Sequence, residues 1–177
     1  MSITLNIILA VSVTLDSFIV GKSVDKKISF TLFSITIAHV ALFFIGLKVG
    51  DQIGPYIGPY DHWFSFFIFL FLALSSYKDL ISEEPTFKLD NLFKILVTTF
   101  VLSIDAFAVA ASSQHEIKFP LIVIVLIGIF APLFCYLGYK LKNEMIKYSY
   151  KLLHFSEGTF FLIIGSFILY SHISGGY

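Results

Sequence analysis

The sequence predicts an all-α membrane protein whose six transmembrane helices form two inverted three-helix repeats. Three observations lead to this fold class: the composition, six long apolar runs, and an aspartate motif that occurs twice. Hydrophobic residues make up 57% of the chain and charged residues only 14%, and the mean hydropathy is +0.88. Soluble domains have a more even mixture of apolar and polar residues. We therefore expect lipid around most of the chain.

Each apolar run is long enough to cross a membrane, since a helix of about 20 residues spans the hydrocarbon core. The first run lacks the positively charged start and the small-residue cleavage site of a signal peptide, so we expect it to remain as a helix. Little of the chain is left for loops, so the helices themselves must carry the function. The six predicted spans are 2–21, 29–50, 62–81, 92–113, 119–141 and 150–171.

The lysines predict the orientation of the spans. All of them except Lys48 and Lys118 lie beside the loops that follow the first, third and fifth spans. Because positive charge favours the cytoplasmic side, we expect both termini outside the cell membrane. The polar stretch 82–91 is the predicted cytoplasmic linker, and it separates a first repeat, 1–81, from a second, 92–177.

The two halves carry matching motifs. LDSF contains Asp16 and Phe18, and IDAF contains Asp105 and Phe107 in the same register. IGLKV in the second span also matches LGYKL in the fifth. Because each half has an odd number of helices, the second copy must enter the membrane from the opposite face. This inverted arrangement is common in secondary transporters, whose sites lie near the middle of the membrane.

The paired aspartates are the main candidate site. A charged Asp at a helix centre costs about 2.5–3.5 kcal/mol on insertion scales, so we expect both carboxylates to face one functional site. Oxygen ligands of this kind suit Mg, Ca or Mn ions. The alternative is that each Asp only fixes helix packing through a hydrogen bond. On continuous helices the supporting hydroxyl groups on the same faces are those of Ser12, Ser23, Thr98 and Ser112.

Small residues near the aspartates predict close helix contacts. We expect the first and fourth helices to pack near the pseudo-twofold axis through Ser17, Gly21, Ala106 and Ala110. Glycines on the middle helix of each half permit either a sliding contact or simple tight packing, and both readings stay open. These glycines are Gly46, Gly50 and Gly138.

Two further polar residues lie within the apolar spans. His39 shares a helix face with Thr36, Gly46 and Gly50. It is either a metal ligand or proton carrier, or a side chain hydrogen-bonded to Thr36 or to a backbone carbonyl. We expect Glu157 to pair with Lys151, and the alternative is that it lines an inner vestibule. The aromatic residues near the predicted helix ends suggest an interfacial belt.

With these residues in view, the chain is similar to the MntP-type manganese efflux pumps, a six-helix family within the LysE transporter superfamily. The resemblance rests on LDSFIVGKS and IDAFAVAAS, on DHW at the start of the third span, and on the ending GTFFLIIGSFILYSHI. It implies export of a divalent cation, with Asp16 and Asp105 as the essential membrane acids. At the position of His39 the family usually carries Glu, and at that of Glu157 a small residue.

The sequence thus predicts a secondary transporter, with no enzymatic activity and no cofactor, that exports Mn2+ or a similar divalent cation in exchange for protons. Its expected partners are the metal ion, protons and the lipid bilayer. Nucleic acid is excluded because the chain has no clustered basic face. Two alternatives remain open: an exporter of a small organic solute, as in the wider superfamily, and a membrane scaffold with structural aspartates.

Overall fold

The computed structural model describes residues 2–81, 88–142 and 148–174. Within them the chain is helical, and each of the six predicted spans corresponds to helical structure. Part of the predicted linker 82–91 lies outside the described residues. The helices are α1 (Ile3–Ser12), α2 (Ser17–Ser23), α3 (Ile28–Ile57), α4 (Asp61–Asp79), α5 (Leu92–Leu102), α6 (Ile104–Ser113), α7 (Pro120–Leu141) and α8 (Tyr148–Ile173).

The first and fourth spans are each broken into two helices, and here the prediction of continuous helices was wrong. The first break covers residues 13–16 and the second is Ser103. At both breaks the backbone tightens. The amide of Thr14 donates to the carbonyl of Val11 at 3.1 Å, and that of Ser103 is shared between the carbonyls of Phe100 and Thr99, each at 3.2 Å. Bonds to the third preceding residue are typical of 3₁₀ turns, which often mark functional positions within helices.

Five helical stretches in the described residues are long and apolar enough to cross a membrane. α4 is not among them, because Asp61 and His62 begin it and Lys78 and Asp79 end it, which leaves a shorter apolar middle. The five stretches are Ile3–Ser23, Ile28–Ile57, Leu92–Ser113, Pro120–Leu141 and Tyr150–Ile173.

Each half of the chain packs against the other half. α2 lies against α7, α6 lies against α3, and α4 pairs with α8. A Cβ atom on Gly138 of α7 would meet the carbonyl of Phe18 in α2, and one on Gly46 of α3 would meet the carbonyl of Phe107 in α6. The two glycines and the two phenylalanines are the residues that match in the sequence.

The small residues beside the aspartates therefore have other partners than expected. Gly21 lies against the backbone of Cys135 and Tyr139 in α7, and Ala110 lies against Gly46 in α3. We expected these residues to join the first and fourth helices to each other. The close contacts instead join each of those helices to the middle helix of the opposite half.

Aromatic residues near the helix ends were predicted to form an interfacial belt. Tyr56 is 90% exposed, and Tyr60, Trp63 and Tyr170 are also exposed, as an interfacial belt requires. His62 differs, since it is buried and stacks on His172 with ring centroids 3.4 Å apart.

Candidate metal-ion site

Asp16, His39 and Asp105 meet inside the helical bundle. One possible ligand atom from each residue lies within 4.8 Å of those of the other two. The distance between His39 Nε2 and Asp16 Oδ1 is 3.6 Å. Asp16 and His39 are buried, and Asp105 is partly buried. The two aspartates predicted to share a site thus do lie close together, with His39 beside them.

The two helix breaks position the aspartates. Asp16 is the last residue of the first break, and Asp105 is the second residue of α6. Two residues before each Asp, a hydroxyl group donates to the carbonyl four residues earlier. Thr14 donates in this way to Ala10 at 2.7 Å, and Ser103 donates to Thr99 at 2.7 Å. Such bonds offer the backbone an alternative to regular helix and bend it.

Hydrogen bonds fix the ring of His39. Its Nδ1 lies 3.1 Å from the carbonyl of Ile35 and 2.7 Å from the hydroxyl of Ser103. Because a carbonyl only accepts hydrogen bonds, Nδ1 carries the hydrogen. The hydroxyl of Ser103 accepts from Nδ1, while its own hydrogen goes to Thr99. The other nitrogen, Nε2, then holds the lone pair that faces Asp16. Metal-binding histidines are oriented in this way by an acceptor at the second nitrogen.

Each of the three residues has one buried atom without a hydrogen-bond partner among the described residues. These atoms are Asp16 Oδ1, His39 Nε2 and Asp105 Oδ2, whereas Asp105 Oδ1 accepts from the amide of Ala106 at 2.6 Å. Buried polar atoms without partners are rare and costly. A cation bound between the three side chains would provide a partner for all three atoms.

The aspartates adjoin a cavity of about 330 Å³. It is lined by α4, α5, α6 and α8 together with Asp16, and it lies on the lysine-rich side of the bundle. Glu157 lines this cavity, and its carboxylate accepts a hydrogen bond from His154 Nδ1 at 3.1 Å. The expected pair with Lys151 is therefore wrong, because Lys151 lies more than one and a half turns earlier on α8 and is exposed, whereas Glu157 is buried. The lining residues are Asp16, Leu72, Ser75, Ser76, Asp79, Val101, Leu102, Asp105, His154, Glu157 and Phe161.

None of the predicted supporting hydroxyl groups lines the cavity beside the aspartates. The hydroxyl of Ser12 donates to Ile8 at 2.7 Å, and Thr98 is only partly buried, on α5. Ser23 lies about two helical turns after Asp16, and Ser112 lies about two turns after Asp105. Their faces were assigned on continuous helices, and a break changes the angle between the residues on either side of it.

Three residues of the site were missed by reasoning from sequence. Thr14 and Ser103 stand at the same place in the two motifs, VTLD and LSID, so a comparison of the halves that extended two residues further would have found them. His154 matches His62 of the first half, but it was assigned no role. Its position in the cavity depends on the packing of α8 against α4.

Comparison with protein families identifies the group to which the chain is related. The model of the Mntp family, described as "Putative manganese efflux pump", matches residues 23–169. The chain belongs to this family. The predicted resemblance is therefore confirmed over most of the chain, and membership makes the protein a membrane transport protein of the manganese efflux type. His39, Asp105 and Glu157 lie within the matched range, and Asp16 precedes it. Comparisons with curated proteins and with solved structures gave no match.

Proposed function

We propose that the protein exports Mn2+ or a similar divalent cation from the cell through the centre formed by Asp16, His39 and Asp105. One observation carries the proposal: three ligand atoms that have no hydrogen-bond partner among the described residues lie close together inside the bundle of a member of a manganese efflux family. Two carboxylates and one imidazole suit Mn2+, and they also accept Fe2+ or Co2+.

The cavity favours a cation over an organic solute. Four acidic residues line it, and no lysine or arginine is among the lining residues. An amino-acid exporter of the wider superfamily would need a cationic group to bind the substrate carboxylate, and the chain contains no arginine. The negative charge of the cavity instead attracts a metal ion from the cytoplasm.

The energy for export has to come from a coupled ion. Moving a divalent cation out of a cell against 100 mV costs about 4.6 kcal/mol. In the proposed cycle, ionised Asp16 and Asp105 carry one metal ion outward, and each returns with one proton. The exchange moves no net charge, and the protons neutralise the carboxylates while the site is empty.

The halves 1–81 and 92–177, joined by the linker 82–91, would provide alternating access as inverted repeats. The exchanged packing of α2 on α7 and of α6 on α3 supports this arrangement. The cavity lies on the lysine-rich side, which is cytoplasmic by the positive-inside rule, so the conformation is inward-facing with both termini outside. At the opposite end, the hydroxyl of Ser65 donates to the carbonyl of Ser112 and joins α4 to α6.

Asparagine variants of the two aspartates test the site. We expect Asp16→Asn and Asp105→Asn each to abolish manganese tolerance in cells that depend on this protein, because the amide cannot neutralise the bound cation. The amount of protein in the membrane should stay unchanged. Asp51→Asn is the matched control and should retain full tolerance, since this exposed Asp, within the last two turns of α3, lies outside the centre. Full tolerance in both site variants would exclude the centre, and loss of folded protein alone would favour the scaffold alternative.

Proteoliposomes test the coupling. With Mn2+ on one side and a pH-sensitive dye inside, we expect metal movement to drive proton movement in the opposite direction, at about two protons per ion. An imposed membrane potential should change the rate little, because the exchange is electroneutral. Metal flux that follows the potential and leaves the pH unchanged would contradict proton exchange while leaving metal transport intact.

A further inference from the structure

His154 and Glu157 form a second polar cluster on the cavity wall. The two residues are three positions apart on α8, so they share one helix face, and each is 7% exposed. His154 Nδ1 lies 3.1 Å from Glu157 Oε2. The central site does not use either residue as a ligand, although both line the same cavity as Asp16 and Asp105.

The ring of His154 is oriented as in a metal ligand. A carboxylate accepts hydrogen bonds and donates none, so Nδ1 carries the hydrogen. In the neutral imidazole the other nitrogen, Nε2, holds the lone pair, and it is buried without a hydrogen-bond partner among the described residues. An imidazole held by a carboxylate on one nitrogen, with the other nitrogen free, is the usual outer-shell arrangement of metal-binding histidines. A purely structural histidine would normally use its second nitrogen as well.

An acidic residue lines the same cavity from another helix. Asp79, at the end of α4, lines the same cavity, and its charge acts on His154. Ser75 and Ser76, one turn earlier on α4, add hydroxyl groups to the wall. Imidazole, carboxylate and hydroxyl groups with room for water form a suitable environment for a partly hydrated divalent cation.

We propose that His154, Glu157 and Asp79 form a second divalent-cation site in the vestibule. His154 Nε2 and the Asp79 carboxylate bind the ion, Glu157 orients the imidazole, and water completes the coordination. The inference rests on the proposed function for its role, which is to capture the metal from the cytoplasm before it reaches the central site. The charge of Glu157 acts on both Asp16 and Asp105, so the two sites are close enough to influence each other.

Counting bound ions tests the proposal. Purified full-length protein is titrated with Mn2+, and free Mn2+ is measured by electron paramagnetic resonance. We expect two ions per chain for the wild type, and one for the double variant His154→Gln/Glu157→Gln. The double variant Asp16→Asn/Asp105→Asn should also bind one ion, with weaker affinity. Lys151→Gln is the matched control on the exposed face of α8, and it should bind two.

A spectroscopic measurement identifies the ligand. Mn2+ bound to imidazole shows a nitrogen coupling in pulsed electron paramagnetic resonance. We expect this coupling to persist in His39→Gln, where it would come from His154, and to disappear in His39→Gln/His154→Gln. One ion per chain in both wild type and His154→Gln/Glu157→Gln would overturn the proposal, as would loss of all nitrogen coupling in His39→Gln alone.

Transport assays distinguish the vestibule site from the proposed function. For Glu157→Gln we expect the KM for Mn2+ to rise about tenfold with little change in kcat, because capture weakens while the central site is intact. If the variants of Asp16 and Asp105 still transport metal, the proposed function fails, and the ion count still decides on the vestibule site. An unchanged KM together with an unchanged ion count would exclude the vestibule site alone.

Discussion

Single hydroxyl groups shape the candidate metal-ion site. The hydroxyl of Ser103 links the break before Asp105 to the imidazole of His39, because it donates to Thr99 and accepts from Nδ1. It therefore shapes the backbone and orients a ligand at the same time. The sequence alone favoured Thr98 as the supporting hydroxyl on this helix, so the two residues give different experimental predictions.

Ser103→Ala should weaken metal binding without preventing folding. Removal of the hydroxyl leaves only the carbonyl of Ile35 to hold His39 Nδ1, and loss of an outer-shell partner typically reduces metal affinity about 10–100-fold. Calorimetric titration of purified protein with Mn2+ measures the effect. Thr98→Val is the matched control and should bind as the wild type does. Weaker binding in Thr98→Val with normal binding in Ser103→Ala would contradict the geometry at His39.

Residue types in the sequence predicted the aspartate pair but not its surroundings. Asp16 and Asp105 stand out because charge is unfavourable in an apolar span and because the motif repeats. The role of His39 stayed open, since it depends on where the carbonyl of Ile35 and the hydroxyl of Ser103 lie. The carbonyl of Ile35 lies one turn earlier on the same helix, but the position of Ser103 follows from packing between α3 and α5, which helical spacing within one segment does not describe.

The broken helices show what an apolar pattern can miss. Neither 10–17 nor 99–106 contains glycine or proline, the residues that usually signal a break. Helical structure was therefore predicted correctly at all six places, but as continuous helices, and α4 is not among the five stretches that are long and apolar enough to cross a membrane. At each break a hydroxyl group bonds to the backbone, and Ser and Thr do this in many helices without breaking them, so the residue types alone do not signal a break.

Glycines in the middle helices should be required for packing. A Cβ atom on Gly138 would meet the backbone of Phe18, whereas one on Gly128 of the same helix would only touch Val40 at 3.8 Å. We expect Gly138→Ala to destabilise the protein by about 1–3 kcal/mol, as overpacking does, and Gly128→Ala to have little effect. Unfolding in detergent, followed by circular dichroism, compares the two variants. Equal stability would show that α2 and α7 are not in close contact.

At the scale of the whole molecule, the two ends of the bundle differ. The cavity reaches Ser75 on the lysine-rich side, and the opposite end is held by the bond from Ser65 to Ser112. The sequence predicted the division into halves and the position of the acids. It could not show which end was open, because both ends are built from matching segments and the difference depends on how the helices pack.

Labelling with a water-soluble thiol reagent should distinguish the two ends. The native Cys135 is buried, so the wild type should react little. We expect Ser75→Cys to react in membranes when the cytoplasmic side is exposed to the reagent, and Ser65→Cys to be protected. Addition of Mn2+ should slow the reaction of Ser75→Cys, because the ion occupies the cavity. Protection of Ser75→Cys with reaction of Ser65→Cys would reverse the assignment of the open end.

The packing of each half against the other half also matters while the chain is being made at the ribosome. The glycine face of α3 contacts residues 107–111, and Asp16 acquires Asp105 as a neighbour in the centre. When the first half has entered the membrane, these partners have not yet been made. Asp16 and the glycine face of α3 therefore remain without their partners until the second half has been inserted. The chain would therefore be most open to membrane chaperones and quality-control proteases after the first half has been inserted and before the second half has been made.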